Sequence, residues 1–399
     1  MQRIPQSPTC SHTQALEAFV GGAAPDLDGV DLHRRPNRRA VGVTRHVFRG
    51  PWGRRSIVAA VLRRLRKHPV AVSALATAIA AGAVMAIAYV TGADAIGRVF
   101  DDFHPEWIAL IAATELATYP AYALAYRSIA SVHGHRPMSL PIVARVVVAG
   151  FGPFAIGGGF GIDKQALHAL DEDERSARVR VLGLGTLEWV LLAPTTCVVS
   201  IVLLVQGADV LPSLLWPWAI AVPVGFGFAL WASAPGRRER LSRIRGKRRE
   251  WLAHLLDGVG VVHELISHPR KYAGAWIGTA AYWAADIAAF YGGLRTFGLD
   301  PAAGKVIIAY ATGYAATRRS LPLAGAGVTE VLMTYSLYWV REPLAPALAA
   351  VVAYRAFNFL LAATPALIAH RQMRPLLAAA EELTRRERPA RGRVTESGR

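Results

Sequence analysis

Six ionisable side chains fall inside long apolar stretches of this sequence: Glu115, Arg145, Glu188, Asp286, Glu330 and Arg355. Charge in such surroundings is costly and survives where it faces a bundle interior, an opposite charge or a water-filled cavity. Four acids and two bases permit three kinds of chemistry: internal ion pairing, proton relay through carboxylates, and neutralisation of an anion by arginine. Arg355 sits about midway along the apolar stretch 344–369, with Asn358 one turn later on the same helical face. Its position suits a structural salt bridge and contact with an anionic head group equally. Tyr119, Tyr122, Tyr282, Tyr310 and Tyr314 lie in the same stretches and fit either a polar path or plain helix packing.

Two glycine-rich breaks accompany these charges. Six glycines fall in the twelve residues 150–161, Gly157, Gly158 and Gly159 consecutively, with Pro153 among them. Such a run interrupts a helix. Irregular backbone at membrane depth persists only against protein or a water-filled cavity. Its freed N–H groups, and any helix that restarts there, can hold an anion; close helix packing through small residues is the alternative use. No Gly-Lys-Ser/Thr follows, so the run is not a phosphate-binding P-loop. A second break, at Pro322, Gly325 and Gly327, opens the stretch that carries Glu330. Interruptions at matching places in two halves point to a substrate site. His263 and His268 flank Glu264 but stand five apart, about 140° around a helix, so they do not face one metal. No Ser-His-Asp, Cys-His or metal-ligand spacing is present, and the sequence implies neither catalysis nor a cofactor.

The elements that must hold these residues are membrane helices. The chain has 399 residues, is 53% hydrophobic and only 18% charged, and its mean hydropathy is +0.29. A bilayer core needs about 20 apolar residues per helix. Eight stretches qualify as spans: 69–91, 107–130, 181–206, 210–234, 272–294, 302–317, 321–340 and 344–369. A ninth, 140–161, contains the first glycine break. The net charge of +17 orients them. Lys and Arg collect in cytoplasmic loops. Thirteen fall in residues 1–68, ten in 234–271 and eight in 370–399. Placing these three segments inside requires an even number of crossings between 68 and 235. Segment 140–161 is therefore expected to be re-entrant or broken. Arg318 and Arg319 then fall inside. Of the 45 Lys and Arg, 39 are inside, three outside (Arg98, Arg295 and Arg341), and Arg145, Lys305 and Arg355 lie within segments. Lys305 is expected to snorkel to the outer interface. The basic excess thus reports topology, and no nucleic-acid surface is needed to explain it.

The expected fold class is an all-α polytopic membrane protein of about eight transmembrane helices plus one re-entrant or broken Gly-rich segment. Both termini are expected to be cytoplasmic. Residues 1–53 read as a disordered basic cytoplasmic tail. Residues 54–68 read as an amphipathic interfacial helix or a basic stop before the first span. Residues 69–370 form the transmembrane domain, with a basic, partly amphipathic cytoplasmic loop at 235–271, and 371–399 form a basic cytoplasmic tail. Cys10 and Cys197 suggest no disulfide framework.

Three segments resemble a known family. LPLAGAGVTE at 321–330 resembles the Pro-Gly-Gly-x-Gly-x-x-Glu segment of the flippase-like family that includes the transmembrane region of lysylphosphatidylglycerol synthases. AYRAFNFLLAATPAL at 353–367 resembles its Arg-bearing closing helix, and GFGPFAIGGGFGIDKQAL at 150–167 its Pro- and Gly-rich first-half segment. Leu323 and Ala324 stand where the family has Pro and Gly, and the first-half segment lacks the usual Arg followed by a Gly-acid pair. The resemblance spans roughly 69–370. It implies a lone flippase-like domain of the inner membrane that moves an anionic or glycosylated lipid between leaflets and is not itself an enzyme. Arg145 and Arg355 would neutralise the phosphate, with Glu188, Asp286 and Glu330 orienting them and Asn358 nearby. The glycine breaks, with Pro153, would form the polar pocket. The partner implied is an anionic membrane lipid. A proton-coupled transporter of a small anion and a membrane scaffold without transport are the competing expectations.

Overall fold

A computed structural model describes residues 69–132, 138–152, 159–171, 174–233, 258–314 and 325–394. The expected tail 1–53, the expected helix 54–68 and most of the loop 235–271 lie outside them. The described residues are organised by twelve helices. These are α1 (Pro69–Thr91), α2 (Ala93–Arg98), α3 (Glu106–Ala130), α4 (Leu140–Phe151), α5 (Gly159–Asp171) and α6 (Glu174–Val205). They continue with α7 (Pro212–Ser233), α8 (Gly258–Ser267), α9 (Ala273–Thr296), α10 (Ala303–Tyr314), α11 (Val328–Trp339) and α12 (Leu344–Val394). Helices α1, α3, α6, α7 and α12 are each long and apolar enough to cross a membrane. Helix α9 has 24 residues, about 36 Å, and carries Asp286 and Arg295 along with its apolar residues. Large apolar side chains are outward-facing on α1 and α7, among them Met85, Tyr89, Val224 and Leu230. Hydrocarbon rather than water is the solvent that makes such faces stable.

Helices α3 and α9 make the tightest pair. A Cβ on Gly278 would stand 2.5 Å from Ala125 N and 2.6 Å from Ala121 O. Only a glycine lets these two backbones approach, and where lipid tails are as apolar as Leu, such close van der Waals packing holds helices together.

Contacts between chain turns define two ends of the bundle. At one end, the His104 N–H donates to Thr296 O at 2.8 Å and the Leu211 N–H to Trp339 O at 3.1 Å. Arg341 Nε lies 3.2 Å from Asp209 Oδ1 at the same end. Arg98, Arg295 and Arg341, the three basic residues assigned outside from sequence, all gather here. At the other end, Arg180 Nη1 donates to Ala130 O at 2.9 Å, Trp276 Nε1 to Leu265 O at 3.4 Å, and Tyr272 OH to Glu264 Oε1 at 2.7 Å. Helix α8, the described part of the amphipathic stretch expected at 249–268, lies at this end with Val261, Val262 and Leu265 buried.

Four helices are short over their described residues: α4, α10 and α11 have 12 residues each and α5 has 13, about 18–20 Å against a hydrocarbon core of about 30 Å, with α5 and α10 bordering residues outside the description. α4 starts at the α8 end, with Pro141 in its first turn where a missing N–H is harmless. It stops at Phe151, whose ring lies 5.0 Å from that of Tyr122 and 5.9 Å from that of Tyr282. α5 returns from Phe160, which packs against Gly185 of α6. A broken segment is expected at 140–161; the described residues hold α4 and α5 on either side of residues 153–158, which lie outside them.

α10 and α11 mirror it from the opposite end. Gly313 packs against Met333, and Lys305 lies near enough to act on Glu342, so the two run antiparallel. Gly327 abuts Ile79 and Ala83 in the middle of α1, and Tyr314 meets Tyr282 in the interior of α9, so the described ends of both helices lie at mid-depth. Where sequence spacing predicts two full crossings at 302–317 and 321–340, the described residues hold two helices of 12 residues each, and residues 315–324 between them lie outside the described residues. Gly325 and Gly327, with φ of 70° and 81°, lead into α11. Arg318 and Arg319 lie outside the described residues. α4 and α10 thus start from opposite ends of the bundle, a relation that the span count does not reveal. α12 runs unbroken to Val394, so no break marks residue 370.

Candidate functional site

Three of the buried charges share one depth in the bundle. Glu115 lies about 14 Å along α3 from Glu106, Asp286 about 15 Å from the Thr296 end of α9, and Arg355 about 17 Å along α12 from Leu344. All three distances are measured from the same end of the bundle, so the residues share one depth.

Arg355 and Glu330 form the central ion pair. Arg355 Nε donates to Glu330 Oε1 at 2.8 Å, and their side chains are 4% and 3% exposed. The other carboxylate oxygen, Glu330 Oε2, accepts the Gly327 N–H at 2.6 Å. A carboxylate in the first turn of α11 is doubly favoured there. It receives a backbone N–H that the helix leaves over, and it sits at the positive end of the helix dipole. Gly327 is required at that spot, since a Cβ would stand 2.8 Å from Ile79 Cγ2 and the φ is positive. Phe359, one turn along α12, places its ring 4.9 Å from the Arg355 guanidinium carbon.

Asn358 extends the layer. Its Nδ2 donates to Glu115 Oε2 at 2.9 Å and to Tyr354 O at 3.3 Å. Asp286 accepts from Tyr310 OH at 2.6 Å and from Tyr354 OH at 2.7 Å. Glu188 accepts from Tyr122 OH at 2.8 Å, and its carbonyl accepts from Trp283 Nε1 at 3.1 Å. Tyr282 joins both tips: its ring packs on Phe151 and its hydroxyl lies 2.9 Å from that of Tyr314. The five tyrosines weighed from sequence therefore divide. Tyr310, Tyr122, Tyr282 and Tyr314 combine polar contacts with ring packing, and Tyr119 packs on Phe151. Asn358 Oδ1 and Thr329 Oγ1 are buried beside the ion pair with no hydrogen-bond partner among the described residues. Buried polar atoms in that condition usually have a ligand or a water to satisfy them.

Of the residues predicted from sequence, Glu330, Arg355, Asn358, Gly325, Gly327, Asp286 and Glu188 fall in or beside this layer. Arg145 is half-buried on α4, about 9 Å short of Phe151. Gly159 opens α5, while Pro153, Gly157 and Gly158 lie outside the described residues. Two participants were missed from the predicted site. Glu115 stood out as a buried charge, but its partnership with Asn358 spans 243 residues and has no sequence signal. Tyr354 stands next to Arg355 yet carries no charge to draw attention. Arg180 was assigned to a cytoplasmic flank. It is instead among the most deeply buried side chains, at 1% exposure, tying α6 to the end of α3. Its setting between Val179 and Val181 was the available signal. Among the described residues no group of three or more His, Cys, Asp and Glu side chains converges to hold a metal.

Chemically, this layer binds and neutralises charge: each carboxylate receives a donor, and the guanidinium stands against the restart of a broken helix. Apolar helices long enough to cross, with charges confined to their middle and ends, define a multi-pass α-helical membrane protein. The chain belongs to the family described as the lysylphosphatidylglycerol synthase transmembrane region, whose model matches residues 73–366. That range contains every residue of the mid-depth layer. A comparison with curated proteins finds no match.

Proposed function

We propose that this protein binds the head group of an anionic or glycosylated lipid in the polar layer around Arg355 and Glu330 and moves it between leaflets. The setting is the inner (cytoplasmic) membrane. Six helices, α1, α3, α6, α7, α9 and α12, cross it. Both hairpins are re-entrant, and the α8 end together with both termini faces the cytoplasm. The rarity of Lys and Arg at the opposite end supports that orientation. The observation that carries the reading is the buried Glu330–Arg355 pair at the tip of a hairpin. A pair built only for stability gains little from such burial. A pair that a phosphate can enter has a use: the phosphate takes Glu330's place on the guanidinium fork, and the Gly327 N–H keeps Glu330 oriented meanwhile. Asn358 Oδ1 and Thr329 Oγ1 supply polar atoms for the rest of the head group. Two inverted hairpins that meet at mid-depth offer the alternating access such transfer needs. The chain binds and moves its lipid without modifying it.

The test is transfer of fluorescent phosphatidylglycerol across reconstituted vesicles, read by quenching from outside. Wild-type protein should accelerate it over empty vesicles, and Arg355→Lys, which keeps the charge but not the fork, should lose most of that gain. Equal transfer by wild-type protein and empty vesicles would overturn the reading. A second reading, a proton-coupled carrier of a small anion, draws support from Asp286, Glu115 and Glu188, carboxylates each supplied with a neutral donor. Anion uptake driven by a pH gradient, without lipid transfer, would favour it.

A further inference from the structure

An apolar groove of about 580 Å³ opens between α6, α7 and α8. It is separate from the polar layer. Apart from Thr186, His263 and two tryptophans, every lining residue is apolar. Thr186 spends its hydroxyl on Leu182 O at 2.7 Å within α6. Trp189 and Trp218 in its lining stack with ring centroids 6.5 Å apart and planes 19° apart. Trp218 Nε1 donates to Thr312 Oγ1 of α10 at 2.9 Å, which fixes that ring. Val259, Val262, His263 and Ile266 of α8 complete the lining. Along α7 the lining runs from Pro217 to Leu230, about 20 Å. One leaflet of hydrocarbon is about 15 Å thick.

We propose that this groove is a binding site for one acyl chain of a phospholipid, held with its head group at the α8 end and its methyl end against the Trp189–Trp218 stack. Three observations favour that occupant over a peptide or a second copy of the chain. The groove is long enough to hold the hydrocarbon of one leaflet, it lies between helices that already face hydrocarbon, and it lacks the paired polar groups a protein partner would need at its core. Charge favours an anionic phospholipid in particular. The sequence joining Ser233 of α7 to Gly258 of α8, which lies outside the described residues, carries eight Lys and Arg between residues 237 and 249. Basic residues near a membrane surface each contribute about 1 kcal/mol toward anionic lipid. The site does not depend on whether the protein transports anything.

The experiment uses full-length protein in vesicles of phosphatidylethanolamine and phosphatidylglycerol, with a trace of phosphatidylglycerol bearing a diazirine at its acyl terminus. After photolysis, adducts are mapped by peptide mass spectrometry. They should concentrate several-fold on the groove residues near Trp189 and Trp218 relative to Leu75, Ile79 and Met85, which face the same bilayer from α1. Gly225→Leu should cut groove adducts several-fold and leave those on α1 unchanged. A Cβ at Gly225 meets nothing within 4 Å, so the side chain fills the groove without disturbing the fold. Ala221→Phe, at an exposed lining position, is the second variant should the first not assemble. Adducts spread evenly over α1 and the groove, or a pattern unmoved by a folded filling variant, would overturn the proposal.

Discussion

Replacing Arg355 by Met leaves the Glu330 carboxylate buried at 3% exposure with only the Gly327 N–H as its partner in the pair's geometry. Breaking one side of a buried pair costs about 3–5 kcal/mol, because the remaining charge is uncompensated. Glu330→Gln should also destabilise the protein, because the buried guanidinium loses its carboxylate partner. It also removes the carboxylate from the first turn of α11, where the helix dipole contributes about 0.3–1 kcal/mol. The double variant, Glu330→Gln with Arg355→Met, buries neither charge. It should lie about 2–3 kcal/mol closer to wild type than the sum of the singles, the range expected for contacting residues. The assay is reversible unfolding of the purified protein in mixed micelles, with lipid transfer measured on the same samples. A stable double variant that no longer transfers lipid separates binding from scaffolding, since the fold survives and the anion site does not. Strict additivity, or singles within about 1 kcal/mol of wild type, would refute the reasoning that this pair is buried and isolated from water.

Three other outcomes follow from the packing and the hydrogen bonds. Gly278→Leu should destabilise the protein by about 3 kcal/mol or more, read by the same unfolding assay, because backbone atoms of α3 cannot give way to its Cβ. Asp286→Asn places an amide donor against Tyr310 OH or Tyr354 OH and should cost about 1–3 kcal/mol, whereas Tyr310→Phe should cost less. At the α9–α10 turn, Arg295 Nη1 lies 2.5 Å from Asp300 Oδ2, and Tyr291 OH donates to Asp300 Oδ1 at 2.8 Å. Those two donors hold the Asp300 carboxyl below its ordinary value of 3.8. The order this lends residues 297–302 is therefore complete at neutral pH and lost as pH falls through the depressed pKa. The protection of those amides relative to their intrinsic exchange rate should fall with acidification in the wild type, and Asp300→Asn should show the lower protection already at neutral pH.

Much of this architecture is written in local pattern. The long helices follow from apolar length, the first hairpin from a glycine run combined with an even crossing number, and the buried charges from their apolar surroundings. The glycines of the second break report their own role too, because positive φ at 325 and 327 suits no other residue well. The partnerships were not legible. Glu330 and Arg355 are 25 residues apart on different helices, Asn358 and Glu115 are 243 apart, and any of the four acids could have met either base. The second hairpin was hidden for a different reason. A paired half-length hairpin and two short spans return the chain to the same side, so counting crossings cannot separate them. Length was the available discriminator, since the stretch 302–317 falls short of a bilayer. Arg180 shows the converse limit: a charge in a region classed as a flank can be buried by the helix that follows it.

The claim on which the rest stands is that two half-length hairpins enter from opposite faces and meet at mid-depth. Single cysteines in a chain with Cys10 and Cys197 replaced by Ser test it most directly, using a membrane-impermeant maleimide added from each side of the membrane. Ser131→Cys and Ser267→Cys should label only from the cytoplasmic side, and Gly207→Cys and Glu342→Cys only from the other. Ala326→Cys, beside the tip of the α10–α11 hairpin, should not label from the cytoplasmic side. Labelling of Ala326→Cys together with Ser131→Cys from the cytoplasm would mean that α10 and α11 each cross, and would contradict the inverted arrangement.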